Sequence, residues 1–245
     1  NLVGAAEIET MLSTAHSLFS DRSCWLPKRD RLSILRKAAE LIRERREPLA
    51  VQAASEGGKP LFDSLVEIDR AADGVECCVE EIRTSAGNVI PMQIDRNSSA
   101  KVAFTQYEPI GVVAAVSAFN HPFNLIVHQV APAVATGCPV LIKPAASTPL
   151  SCKAFIDILK EAGLPEGWAQ MVLPEKTELA TEMVSDPRVS FFSFIGSSRV
   201  GWMLKSKLAP GTRCALEHGG VAPVIVSADA DLDDVVERVA KGGFY

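Results

Sequence analysis

Four short segments carry side chains with chemistry to offer, and each follows an apolar run. In Ser117-Ala118-Phe119-Asn120-His121-Pro122-Phe123, the Asn120 amide can donate to a developing oxyanion. The same residue can equally be a turn-and-cap asparagine, with Pro122 in the first turn of the helix that follows. In Ile142-Lys143-Pro144-Ala145, Lys143 offers an ammonium to ribose hydroxyls or a phosphate, or is simply a surface lysine. Phe194-Ile195-Gly196-Ser197-Ser198-Arg199-Val200-Gly201 reads as a glycine turn opening a helix, where backbone N–H groups and the positive helix end can hold a pyrophosphate. It is not a GxGxxG run, so the turn alone is weak evidence. In Leu216-Glu217-His218-Gly219-Gly220, Glu217 is either a general base facing a cleft or a solvated loop carboxylate.

The elements that must position these groups follow from the apolar pattern. From Pro109 onward, β-rich runs at 111–117, 140–143, 169–173, 189–194 and 224–226 alternate with helical stretches near 123–135, 149–162, 177–184 and 198–208. Strand–helix alternation with nearly continuous apolar strands predicts a parallel sheet covered on both faces. Ligands of such sheets bind at the carboxyl ends of the strands, which is where all four segments fall. The first hundred residues read as helices: Leu32, Leu35, Ala39 and Ile42 recur at helical spacing, and 61–83 carries Leu65, Ile68, Ala72 and Val75 on one face. The segment 85–99 is polar and broken by Gly87, Asn88 and Pro91, as in a crossing between domains, and 101–107 alternates like a strand.

Composition narrows the function classes. A net charge of −5 argues against nucleic acid as the main partner, and Arg43, Arg45 and Arg46 interleave with glutamates on a solvated helical face. No apolar run is long enough to cross a bilayer, and no signal peptide is visible. The six cysteines form no CxxC pair and the histidines show no metal-ligand spacing, which predicts reduced thiols in a cytoplasmic protein without a metal site.

The order of the motifs carries a resemblance. Tyr107-Glu108-Pro109-Ile110-Gly111-Val112-Val113, Asn120-His121-Pro122, Ala131-Pro132-Ala133, Gly137-Cys138-Pro139, Lys143-Pro144-Ala145, Ala162-Gly163-Leu164-Pro165-Glu166-Gly167, Gly196-Ser197 and Glu217-His218-Gly219-Gly220 together resemble the aldehyde dehydrogenase superfamily, over essentially the whole chain. The resemblance implies an α/β, doubly wound, mostly parallel sheet with helices on both faces. It also implies NAD or NADP as cofactor, a small aldehyde as substrate, and a parent enzyme that is a homodimer or homotetramer. By the family's pattern, Asn120 is the oxyanion-hole amide and Glu217 the base that activates water. Cofactor contacts fall on Ser117, Ala118 and Phe119, on Lys143, Ala145 and Ala146, on Gly196, Ser197 and Val200, and on His218 and Gly219. Residues 1–87 and 109–218 are then the dinucleotide-binding domain, 88–108 the bridging or oligomerisation strands, and 219–245 the start of a catalytic domain.

The chain departs from the family at four points. The nucleophilic cysteine, whose thiolate attacks the aldehyde, is expected a few residues beyond Tyr245, and none of the six cysteines is in its register. This chain alone is therefore expected to be inactive. Ala146 stands where NAD-preferring members carry a glutamate, so repulsion of a 2′-phosphate is gone and NADP becomes admissible. His218 replaces the usual leucine, either as a titrating group near the nicotinamide or as a side chain packed away while its backbone does the work. Leu173-Pro174-Glu175 replaces a common glycine near the adenine. Glu217 favours hydrolysis to a free acid over acyl transfer, and the 119–125 wording leans toward small polar aldehydes such as lactaldehyde or phosphonoacetaldehyde. A stand-alone NAD(P)-binding module or a remnant without catalysis is the alternative; it needs neither Asn120 nor Glu217.

Overall fold

The N-terminal apolar stripes fold as a helical layer. The computed structural model describes residues 2–244, beginning with α1 (Ala5–Ser20), α2 (Lys28–Glu44), α3 (Arg46–Gly57) and α4 (Leu61–Thr84). Ile34, Leu35, Ala38 and Ile42 of α2 meet Ile68, Ala71, Ala72 and Val75 of α4 at the core-facing positions of each helix. Two short strands, β1 (Val89–Ile90) and β2 (Ala103–Phe104), then pair antiparallel.

The rest alternates as β3 (Val112–Val116), α5 (Asn124–Thr136), β4 (Val140–Lys143), α6 (Pro149–Glu161), β5 (Ala169–Met171), α7 (Thr177–Ser185), β6 (Val189–Gly196), α8 (Ser198–Lys205), β7 (Arg213–His218) and α9 (Leu232–Phe244). The strands form one parallel sheet ordered β5-β4-β3-β6-β7. Successive residues of β3 point to opposite faces, so Val113 and Ala115 join the α2, α4, α5 and α6 core while Val112, Ala114 and Val116 join α1, α7 and β6. This is the doubly wound architecture that the alternation predicted. Chain order steps outward from β3 to β4 and β5, then returns to β6 on the other side of β3. The connections after β3 and β6 therefore leave on opposite faces and open a crevice at the carboxyl ends.

Two sequence expectations are corrected. Residues 224–226 are not a strand: Val224, Ile225 and Val226 lie in irregular chain and are exposed. The fifth strand is instead Arg213–His218, so Glu217 sits in a strand end and not in a loop. Residues 224–226 have the β-branched composition of a strand but no neighbouring strand, among the described residues, to pair their backbone. No described helix is long and apolar enough to cross a membrane.

Candidate functional site

The Asn120 loop is held from below by a buried carboxylate. The N–H groups of Phe123 and Asn124, at the start of α5, donate to Glu67 Oε1 of α4 at 2.8 and 3.0 Å. Glu67 Oε2 accepts from Lys59 Nζ at 2.8 Å, and the same ammonium lies 2.9 Å from His121 Nδ1. The Glu67 side chain is 0% exposed. Burial pushes its carboxyl upward, but the His121 ring, the Lys59 ammonium and the Asn124 N–H together hold it below the usual glutamate range. Phe123 stays buried edge-on against Phe155, with ring centroids 5.7 Å apart. The loop is thus pinned on its helical side, while Phe119 and Asn120 project to the surface of a cleft of about 600 Å³ shared with Lys59 and His121.

The end of β4 is built the same way. Leu150 N and Ser151 N, in the first turn of α6, each donate to Glu56 of α3 at 2.8 Å. Lys143 closes β4 half-buried, and burial lowers its ammonium below the ordinary lysine value. Its Nζ donates to Pro144 O at 2.9 Å. Ser117 N donates to Lys143 O at 3.0 Å, so the ends of β3 and β4 are tied together, and Ser117 Oγ is buried without a partner. Ala118 and Ala145 are half-buried beside them, and Ala146 is exposed in the following turn.

On the other side of β3, Gly196 and Ser197 lead from β6 into α8. That helix has no acidic residue in its first turn and no side-chain cap, so its opening N–H groups are unfilled, in contrast to α5 and α6. Val200 is partly buried against the core on the α1 and α7 side of the sheet. The register pairs Gly196 with His218 and Ile195 with Glu217, which puts the Gly196 corner beside the end of β7. The His218 ring lies under α8, edge-on to Trp202 at 5.0 Å and Phe194 at 6.4 Å. Glu217 alternates away from it, exposed on the α5 side of the sheet, and Gly219 follows in the left-handed region at φ +73°.

All four sequence-identified segments therefore lie at one rim. Sequence reasoning missed the groups that hold them there. Besides Glu56 and Glu67, Gln129 of α5 ties β3 to β6 beneath the crevice, its Nε2 donating to Val116 O at 3.2 Å and Ser193 O at 3.1 Å. The available signal was a polar residue on an apolar helix face: Glu67 stands among Ser64, Ile68 and Ala71, and Gln129 among Ile126, Val130 and Ala133.

A doubly wound sheet with polar groups gathered at its switch-point crevice has the architecture of dinucleotide-binding α/β proteins. Within that class the chain belongs to the aldehyde dehydrogenase family, whose sequence model matches residues 1–245. It is 36% identical to a 3-sulfolactaldehyde dehydrogenase of Priestia aryabhattai over 215 residues, 88% of this chain and 45% of that protein. It is 34% identical to a mitochondrial succinate-semialdehyde dehydrogenase of Oryza sativa subsp. japonica, covering 96% of this chain and 44% of that protein. A crystal structure of the NADP-dependent glyceraldehyde-3-phosphate dehydrogenase of Bacillus halodurans C-125, complexed with NADP, superposes with a TM-score of 0.92 at 30% identity over 99% of this chain and 51% of that one. The chain spans about half the length of the relatives it matches.

Proposed function

We propose that this chain is the cofactor-binding part of an enzyme that oxidises a small polar aldehyde to a carboxylic acid with NAD or NADP. The observation that carries the reading is the convergence, at one strand-end rim, of the Asn120 amide, the Lys143 ammonium, the uncapped start of α8 and the Glu217 carboxylate. The donor set fits a dinucleotide: Ser117 Oγ lacks a partner beside Lys143, and α8 offers backbone N–H groups without a competing carboxylate. Lys143 would hold the adenosine ribose, Ala146 leaves room for a 2′-phosphate, and the Gly196-Ser197 turn would meet the pyrophosphate. Ser117, Ala118, Phe119, Ala145, Val200, His218 and Gly219 would line the same groove. Bound NAD(P) supplies the hydride acceptor.

The chain's own residues supply the rest of the reading. Asn120 holds the substrate oxygen as negative charge develops on it. Glu217 takes a proton from the water that releases the acid. The nucleophile is a cysteine thiolate expected a few residues beyond Tyr245. Residues 1–87 with 109–218 form the cofactor unit, and 219–245 begin the catalytic one. Segment 88–108 serves assembly of a homodimer or homotetramer, a reading supported by the exposure of Val89, Val102 and Phe104. Six free cysteines suit a reducing, cytoplasmic setting. The substrate class draws on the relatives, two of which are named for aldehydes that also carry an acid group.

Calorimetric titration of the chain with each cofactor tests this. NADP is expected to bind at least as well as NAD, and Lys143→Ala to weaken both by about tenfold, or ~1.4 kcal/mol. A strong preference for NAD would remove the inference from Ala146. Failure of either cofactor to bind would remove the proposal.

A further inference from the structure

We infer that Lys59 and His121 are positioning residues: the Lys59 ammonium, bonded to the His121 ring, holds the neighbouring Asn120 amide where negative charge develops on the substrate oxygen. The inference rests on the function proposed above and names the groups that aim its oxyanion donor.

Asn120 does not aim itself. Its side chain is exposed and hydrogen-bonds to no other described residue. Phe119, just before it, is 62% exposed. Side-chain restraint on this part of the loop therefore reaches Asn120 from the residue that follows. That residue is held: His121 Nδ1 lies 2.9 Å from Lys59 Nζ. Pro122 comes next and disfavours helical backbone at His121, which leaves that residue few conformations. A displaced ring then carries Asn120 with it. An oxyanion donor works by standing in place before the charge appears, and a displacement of ~1 Å costs on the order of a hundredfold in rate.

The ammonium is a fixed point. Lys59 lies in the turn between α3 and α4, after Gly58, which ends α3 in the left-handed region at φ +70°, and before Pro60, which leads into α4. Its side chain is largely buried, and Nζ also donates to Glu67 Oε2 at 2.8 Å. Glu67 Oε1 accepts from the N–H groups of Phe123 and Asn124. One carboxylate thus holds the loop directly after Pro122 and, through Lys59, before it. An ammonium can only donate, so His121 Nδ1 is the acceptor and the neutral ring carries its proton on Nε2. Lys59, Asn120 and His121 all line the same cleft, so the tie runs beside the surface that the substrate meets. The Lys59–Glu67 pair is complete without His121; the second bond from Nζ is the one that couples the helical layer to Asn120.

The test uses the longer polypeptide that carries these residues together with its nucleophilic cysteine, and follows NAD(P)H formation from succinate semialdehyde, lactaldehyde and propanal. His121→Asn keeps an oxygen acceptor close to the place of Nδ1, whereas His121→Phe keeps a ring and removes the acceptor. His121→Phe and Lys59→Met are each expected to lower kcat about tenfold or more while KM changes by less than about twofold. His121→Asn is expected to retain most of kcat. Combined with Lys59→Met, His121→Asn and His121→Phe are expected to be equally slow, because the donor that tells them apart is gone. Equal rates for His121→Asn and His121→Phe alone, single losses that multiply in the double variant, or a loss confined to KM each overturn the inference. Should Lys59→Met fail to fold, as circular dichroism would show, the two His121 variants decide it between them. A wild type that oxidises none of the three aldehydes overturns the function on which the inference rests; coupling of the two positions in the melting temperatures then still reports the contact itself.

Discussion

Among single residues, Glu67 decides how well the candidate site is held. Its carboxylate is the shared acceptor for Lys59 and for the first two N–H groups of the α5 turn. Removing it leaves a partly buried ammonium without its counter-charge and two buried donors unfilled. Glu67→Ala is therefore expected to cost about 3 kcal/mol in urea unfolding. Glu67 is lowered in the folded state, so its stabilisation is full above the unfolded glutamate value of about 4.3. It is lost as the pH falls through the lower folded value. The gap between wild type and Glu67→Ala should be constant near neutrality and shrink below about pH 4. A gap that widens on acidification would mean that the carboxyl is protonated in the native protein. The sequence made Asn120 visible because its neighbours form a motif. It left Glu67 among the helix's apolar residues, because a carboxylate on an inward helix face declares its partner only once α4 and α5 are packed together.

At the level of elements, the close approach of α8 to the sheet sets where the Gly196 turn points. Gly201 touches the end of β7 directly: a Cβ there would lie 2.6 Å from His218 Cδ2 and 2.9 Å from Phe194 Cε1. Gly201→Ala is expected to destabilise by about 2 kcal/mol through overpacking, and to weaken dinucleotide binding by tilting α8. Unchanged melting and unchanged cofactor affinity would show that the helix yields at no cost. This region also marks where sequence reading stopped. Strands β3, β4 and β6 were legible because central parallel strands are apolar on both faces. Strand β7 is an edge, with only Cys214, Leu216 and His218 turned inward, and its mixed composition hid it. Val224-Ile225-Val226 showed the opposite error, since β-branched composition suits a strand but cannot supply the neighbour a strand requires.

For the chain as a whole, the placement of its thiols bears on the proposal that it does not oxidise an aldehyde unaided. Cys138 and Cys152 are buried, and burial raises the Cys152 thiol far above its ordinary value. Cys78 is pushed up to about 11 by the same cause. Neither of these raised thiols supplies thiolate near neutrality. Cys214 is half-buried and packs against the core on the α8 side of β7, the opposite face from Glu217. Cys24 adjoins the start of α2, and Cys77 lies two turns beyond Arg70 on α4. None of these cysteines is among the residues that line the cleft with Asn120. The chain is therefore expected to bind NAD(P) yet produce no NAD(P)H when an aldehyde is added, and to show no burst of one equivalent. Stopped-flow absorbance at the reduced-nicotinamide band reads both. Steady turnover abolished by a single Cys→Ser substitution would identify that cysteine as the nucleophile and displace the proposed position beyond Tyr245. The same absence of turnover accompanied by intact cofactor binding would separate the two halves of the chemistry, with recognition of the dinucleotide and the oxyanion amide on this part of the fold and bond formation to the substrate carbon on the part that brings the thiolate.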